Sequence, residues 1–225
     1  MSGEWLAGIA DAGALLLDFD GPVCSIFAGL PAPGVAAELV ALLRSAAVAV
    51  PLAVGNESDP LAVLRWTGEA CSREIIRSVE DALCAAELRA VGTAQPTPFG
   101  HEVIVNAQAS GLPVAVVSNN SAGAIEAYLA AHGLARCAGP IIGRSYADPS
   151  HMKPNPAPIL EAVRALGASA ADCVLIGDSL SDIEGARAAG VRVIGYANRP
   201  WKVKAFGSAD AVVTSMADIA SALPR

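Results

Sequence analysis

Asp18 and Asp20 stand one residue apart at the end of the apolar run Leu15-Leu16-Leu17, and Gly21 follows them. Such a run reads as a buried strand. In a parallel α/β sheet, ligands sit beyond the carboxyl ends of the strands, so these aspartates fall where chemistry is placed. Two further apolar runs end in polar groups: Val114–Val117 stops at Ser118 and Asn119, and residues 173–176 stop at Gly177 and Asp178. Asp182 lies four residues after Asp178 at the start of a helical segment, a spacing that shares one face. Four carboxylates gathered on one edge repel each other unless a cation joins them. Their hard oxygens suit Mg²⁺, which keeps some waters and accepts a phosphate oxygen as ligand. Ser118 and Asp178 each precede a helix, whose free N–H groups favour an anion nearby. The chain has three lysines, and Lys153, in His151-Met152-Lys153-Pro154-Asn155-Pro156, stands just before a helix where it can offset negative charge. A metal, a lysine, a hydroxyl and helix N-termini around a carboxylate make a site for phosphoryl transfer.

The elements that must position these groups follow from periodicity. Residues 13–18 form the first strand, Gly21-Pro22 turns the chain, and residues 23–30 read as an irregular flap containing Phe27. From 33 to 91 the apolar spacing turns helical, through Val35, Leu39 and Leu43, then Leu61 and Leu64, then Ile75, Val79 and Leu83. Asp59-Pro60 and Ser72 are its helix starts. Strand and helix alternate again afterwards: a helix over 99–110, the strand before Ser118, and a helix capped by Ser121 that closes at Gly133. A short strand follows near 140–142, then a helix from Asn155-Pro156 to Gly167 and the strand before Asp178, whose helix ends at Gly190. Strands at 192–195 and 211–213 and a helix from Ser215 complete the chain. Repeated β-α-β units imply a parallel sheet covered on both faces, with the helical block inserted into it. Trp5 and Leu6 are expected to pack on the body.

Taken together, Asp18-Phe19-Asp20-Gly21, the strand ending in Ser118, Lys153-Pro154 and Gly177-Asp178-Ser179-Leu180-Ser181-Asp182 resemble the four ordered motifs of the haloacid dehalogenase-like hydrolase superfamily. The resemblance spans essentially the whole chain. It implies an α/β fold, a Rossmann-like parallel sheet with helices on both faces over residues 1–21 and 96–225, plus an inserted α-helical cap domain over 22–95. It implies that Asp18 attacks phosphorus and carries a transient aspartyl phosphate, and that Asp20 protonates the leaving oxygen and then activates water. Ser118 and Asn119 would bind the phosphoryl group, with Lys153 compensating charge at both nucleophile and phosphate. Mg²⁺ would be held by the Asp18 carboxylate, the Asp20 backbone carbonyl and Asp178, with Asp182 supporting its shell. The implied activity is Mg²⁺-dependent hydrolysis of a small phosphorylated metabolite. A phosphomutase of the same superfamily and a catalytically idle ligand-binding protein are the alternatives. Gly177, where the mutases of the superfamily tend to carry Glu, leans toward hydrolysis. Dehalogenation fits poorly, because the dehalogenating members lack the second aspartate.

Composition narrows the partners. The formal net charge of −7 offers no basic field for nucleic acid. No apolar stretch reaches the roughly 18 residues of a membrane span, and the N-terminus lacks a secretory pattern, so a cytoplasmic protein is expected. The five cysteines are scattered without CxxC spacing and read as free thiols. Nothing in the chain sets an oligomeric state. His101, His132 and His151 lack ligand spacing, with His151 the one near Lys153. Substrate choice is expected in the helical block, where the polar turn Gly55-Asn56-Glu57-Ser58-Asp59 and Arg65, Arg73 and Arg77 are candidates. Each arginine nonetheless reads first as a solvated helix-face charge, and Trp66 as core.

Overall fold

The computed structural model describes Ile9 and residues 11–223, so the packing expected of Trp5 and Leu6 lies outside the described residues. Six strands form one parallel sheet: β1 (Ala14–Leu17), β4 (Val114–Val117), β5 (Ile141–Ile142), β6 (Cys173–Gly177), β7 (Arg192–Tyr196) and β8 (Ala211–Val213), in the order β5-β4-β1-β6-β7-β8. β1 lies at the centre, with Leu16 opposite Ala115 of β4 on one side and Leu175 of β6 on the other. Its four residues are all buried. Alternation explains why so apolar a run is needed. Leu15, Leu17, Val114, Val116, Val174 and Ile176 enter one cluster, while Ala14, Leu16, Ala115, Val117, Cys173 and Leu175 enter the other. Each fully buried Leu or Val contributes about 1.5–3 kcal/mol.

Helices α5 (Gly100–Ala109), α6 (Ala122–Ala131) and α10 (Met216–Ala222) supply residues to the first cluster, and α7 (Ala157–Ala165) and α8 (Leu180–Ala189) to the second. Between β1 and α5 runs the helical block, α1 (Ala32–Ser45), α2 (Leu52–Gly55), α3 (Pro60–Ala70) and α4 (Arg73–Val91). It has a hydrophobic cluster of its own, built on Val35, Leu39, Leu43, Leu64, Val79 and Leu83. Met152, from the loop before α7, is inserted into that cluster and ties the block to the sheet domain. The Asp59 side chain caps α3 by accepting from Leu61 N–H at 2.8 Å. Among the described residues, no helix is long and apolar enough to cross a membrane. All five cysteines are free.

Three local features differ from the sequence reading. The segment expected as an irregular flap contains β2 (Cys24–Ser25), which pairs antiparallel with β3 (Gln95–Pro96) to make a two-stranded ribbon at the root of the helical block. Two-residue strands separated by so long a loop leave no periodic trace. A helix α9 (Pro200–Ala205) stands after β7 where none was expected. Ser121 occupies the N-cap position of α6, but its hydroxyl makes no capping bond. The carboxylate of Glu87 accepts from the Ser121 N–H instead, at 2.9 Å.

Candidate active site

Asp18 follows β1 directly, and its N–H donates to Ile176 O at 2.9 Å, extending the ladder one residue past the strand. The Asp18 carboxylate accepts from Phe19 N–H at 2.8 Å. The chain then curls: Val23 and Cys24 N–H both donate to Phe19 O, and Gly21 N–H donates to Cys24 O at 2.7 Å. Gly21 has φ +111°, and a Cβ built there would overlap the Asp178 carboxyl group, so only glycine lets the two loops meet. Thr97, beyond β3, donates its hydroxyl to Gly21 O at 2.5 Å, so the root of the helical block also clamps this turn. The curl leaves Asp20 partly exposed, accepting from Ile26 N–H at 2.9 Å.

Lys153 arrives from the loop before α7 and is 1% exposed. Its Nζ donates to Val117 O at 2.7 Å, lies 3.0 Å from Asp18 Oδ1, and hydrogen-bonds to Asp182. Asn119 holds the lysine main chain from both sides: its Oδ1 accepts from Lys153 N–H at 2.8 Å, and its Nδ2 donates to Lys153 O at 3.1 Å. Ser118 donates its hydroxyl to Asn120 Oδ1 at 3.1 Å. Beyond β6, Ser179 and Asp182 form a capping box at the start of α8, each side chain accepting from the other's N–H. Asp182 is therefore both a helix cap and the ion-pair partner of Lys153. Gly177 leaves it room, because a Cβ there would overlap the Asp182 side chain.

Asp18, Asp20, Ser118, Asn119, Lys153 and Asp178 all line one cavity of about 330 Å³. Asp182 lies beneath them, fully buried. Oxygens of Asp18, Asp178 and Asp182 fall within 4.8 Å of one another. Burial, with Asp182 nearby, pushes the Asp18 carboxyl up to about 7 against the pull of Lys153. Burial likewise pushes Asp20 up to about 6, against its bond from Ile26 N–H. Asp178 is raised by burial despite Lys202. Burial opposes the charge on Lys153, yet Asp18 and Asp182 outweigh it and hold the ammonium above its usual range. The carboxylates are thus short of compensating charge, and a set of hard oxygens this close fits a divalent cation such as Mg²⁺.

Lys202 and Asn198 were given no role at the site from sequence. Lys202 Nζ, on α9, donates to both Asp178 Oδ2 and Asp178 O at 2.6 Å, and Asn198 Nδ2 donates to Asp178 Oδ2 at 2.9 Å. Arg65, read as a solvated helix charge, lines the cavity and donates to Lys153 O at 3.2 Å. It arrives with Leu61 and with the cap residue Asp59, all from the start of α3. Their signal was the helix start at Asp59, which fixes the face of the first turns. His151 lies outside the cavity, half-exposed and 2.8 Å from Asp148.

The family model described as haloacid dehalogenase-like hydrolase matches residues 13–190. A phosphoglycolate phosphatase from Pectobacterium atrosepticum is 29% identical over 213 residues, covering 91% of this chain and 89% of that protein. A bifunctional riboflavin kinase/FMN phosphatase from Arabidopsis thaliana is 35% identical over 123 residues, which is 54% of this chain but 32% of that longer protein. The chain therefore matches about a third of the plant protein's length. Among solved structures, CbbY from Rhodobacter sphaeroides in complex with phosphate has a TM-score of 0.69 at 18% identity, covering 94% of this chain and 99% of that one. β-Phosphoglucomutase from Clostridium difficile has a TM-score of 0.68 at 16% identity, covering 91% and 92%. Identities this low show a shared fold.

Proposed function

This chain belongs to the haloacid dehalogenase-like hydrolases, and from that premise we propose that it is a phosphoric monoester hydrolase acting on a small phosphorylated metabolite with Mg²⁺. The carrying observation is the Asp18 carboxylate 3.0 Å from the Lys153 ammonium, in a cavity that also holds Ser118 and Asp20. Phosphatase relatives matched over most of the chain support the same reading.

Asp18 Oδ attacks phosphorus while Asp20 gives its proton to the departing alcohol oxygen, leaving an aspartyl phosphate on Asp18. Asp20, now a carboxylate, takes a proton from water. The resulting attack on phosphorus releases inorganic phosphate and frees Asp18. The raised value of Asp20 suits both halves, because an acid near 6 carries its proton at mildly acidic pH and still serves as a base. Lys153 holds Asp18 in place and faces the incoming phosphoryl oxygens, and Ser118 receives them. Asn119 serves the phosphate end by fixing the Lys153 backbone. Asp18, Asp178 and the Asp20 carbonyl would hold Mg²⁺, with Asp182 behind them, and the ion would neutralise phosphoryl charge.

Helices α1 to α4 act as a cap that covers the cavity, and Arg65, Leu61 and Asp59 carry the cap's share of the lining. Gly177 leans toward transfer to water, since the mutases of the superfamily tend to carry Glu there and a Cβ at this position would overlap the Asp182 side chain. Free thiols suit a reducing cytoplasm.

The test is turnover of an aryl phosphate with and without Mg²⁺, then a panel of phosphorylated metabolites. Wild type is expected to require Mg²⁺, and Asp18→Asn to lose turnover while staying folded. A folded, metal-loaded wild type inert across the whole panel would end this reading.

A further inference from the structure

The helix α4 carries two buried carboxylates one heptad apart, Glu80 and Glu87, and both face the sheet domain rather than the cluster of the cap. Between them sits Arg144, also buried, from the loop after β5. Arg144 Nε donates to Glu80 Oε1 at 2.8 Å, and its Nη1 and Nη2 donate to the two Glu87 oxygens at 2.9 and 3.2 Å. The same Nη1 donates to Asn119 O at 2.6 Å. Glu87 also accepts from Asn120 Nδ2 at 3.1 Å and from Ser121 N–H at 2.9 Å. Two acids against one base in a dry interface is a costly way to join a helix to a loop, since apolar side chains of similar volume often hold as well or better.

Resting on the phosphatase reading above, we propose that Glu87 and Arg144 are positioning residues for Ser118, reaching it through Asn119 and Asn120. Glu87 as a carboxylate only accepts, so the Asn120 amide must turn its nitrogen toward it and its oxygen toward Ser118. That oxygen receives the Ser118 hydroxyl at 3.1 Å, while Asn120 N–H donates back to Ser118 Oγ at 3.3 Å. Arg144 draws the Asn119 carbonyl to its own side. Because the peptide is planar and trans, the Asn120 N–H then points the opposite way, toward Ser118. The Ser118 oxygen is thus held ready from two directions, both set by a helix of the cap. When a phosphoryl oxygen arrives, the hydroxyl turns its one proton from Asn120 Oδ1 to that oxygen while the Asn120 N–H keeps Oγ in place. An apolar interface would leave the amide free to flip and the hydroxyl free to wander.

The experiment compares Glu87→Gln, Asn120→Ala and the double variant, with Leu83→Ala as a control for simple loosening of the same helix. Readouts are calorimetric affinity for inorganic phosphate with Mg²⁺ present, kcat and KM on an aryl phosphate, and thermal unfolding. Glu87→Gln and Asn120→Ala are each expected to lose about tenfold or more in phosphate affinity and in kcat/KM. The double variant should fall within about twofold of the worse single one, because both act through one amide. Leu83→Ala should lower the unfolding temperature and leave phosphate affinity unchanged. Additive losses, or a Glu87→Gln variant that binds phosphate like wild type, would overturn the proposal. If Glu87→Gln does not fold, Asn120→Ala decides, since it leaves the Glu87–Arg144 and Glu87–Ser121 bonds in place. Because Asn120 also lines the cavity, it is then combined with Ser118→Ala. A tenfold loss that adds nothing to that of Ser118→Ala alone supports the proposal, and unchanged affinity or a loss that adds to that of Ser118→Ala overturns it. A wild type that binds phosphate without turnover sinks the phosphatase reading alone, and the phosphate affinities still test the positioning role. Neither binding nor turnover sinks both.

Discussion

At the scale of single residues, the two motif aspartates are separated by environment more than by distance. Asp18 is buried against Lys153, whereas Asp20 is partly exposed and tied to the backbone of Ile26. Asp20 carries a raised value of about 6, so its proton is present below that pH and is lost as pH rises through it. A general acid matters most when the leaving oxygen is strongly basic. On an alkyl phosphate, kcat/KM is therefore expected to fall as pH rises above about 6. A nitrophenyl ester, whose phenolate departs without a proton, should hold its rate further up the scale. In kcat/KM, which stops at phosphoryl transfer to Asp18 and leaves out the later base role, Asp20→Asn should cost roughly 10²–10⁴-fold on the alkyl ester and far less on the aryl one. Equal losses on the two substrates would show that Asp20 is not the proton donor.

At the scale of elements, function depends on where helices begin. Asp59 starts α3 with a cap bond of 2.8 Å and by the same act places Leu61 and Arg65 over the cavity. Ser72 starts α4 with a bond stretched to 3.5 Å. A good cap contributes about 1 kcal/mol, so Asp59→Ala is expected to destabilise by about that amount in urea unfolding and Ser72→Ala by clearly less. The reverse order would mean that α3 and α4 owe little to these starts. Both were legible in the sequence, because an Asp or Ser ahead of an apolar helical period has a local cause. The strands β1, β4 and β6 were legible for a related reason: a central parallel strand is apolar on both faces. What escaped has non-local causes. The β2–β3 ribbon joins two residues to two others across the whole helical block. Glu80 and Glu87 stand one position off the stripe Val79, Leu83, Ala86 and Ala90, and only the docking of α4 on α6 turns those acids from solvent to core. Lys202 meets Asp178 because α9 folds back over the end of β6, a contact that spacing cannot show.

At the scale of the whole molecule, an acidic chain of net charge −7 collects Asp18, Asp20 and Asp178 around one opening, with Asp182 buried beneath, and meets them with Lys153 and Lys202. In the metal-free fold, Asp18 and Asp20 are raised to about 7 and about 6 from an ordinary 3.8. Over that window these two groups hold more protons in the folded chain than in the unfolded one, so their contribution to stability falls as pH climbs from about 4 to about 7. Above it the full penalty of the charged, crowded carboxylates is present. A divalent cation reverses the balance, because it binds the ionised form and competes with protons for the same oxygens. Mg²⁺ should therefore raise the unfolding temperature at pH 8 and do so much less at pH 5. At a hundred times its dissociation constant the gain would be about 2.7 kcal/mol. Asp18→Asn removes one of the titrating groups and one proposed metal ligand together, so it should flatten the pH dependence of the metal-free protein and shrink the Mg²⁺ effect at pH 8. These are melting measurements and need no substrate. An equal Mg²⁺ shift at both pH values would mean that the ion stabilises the chain somewhere other than at these carboxylates.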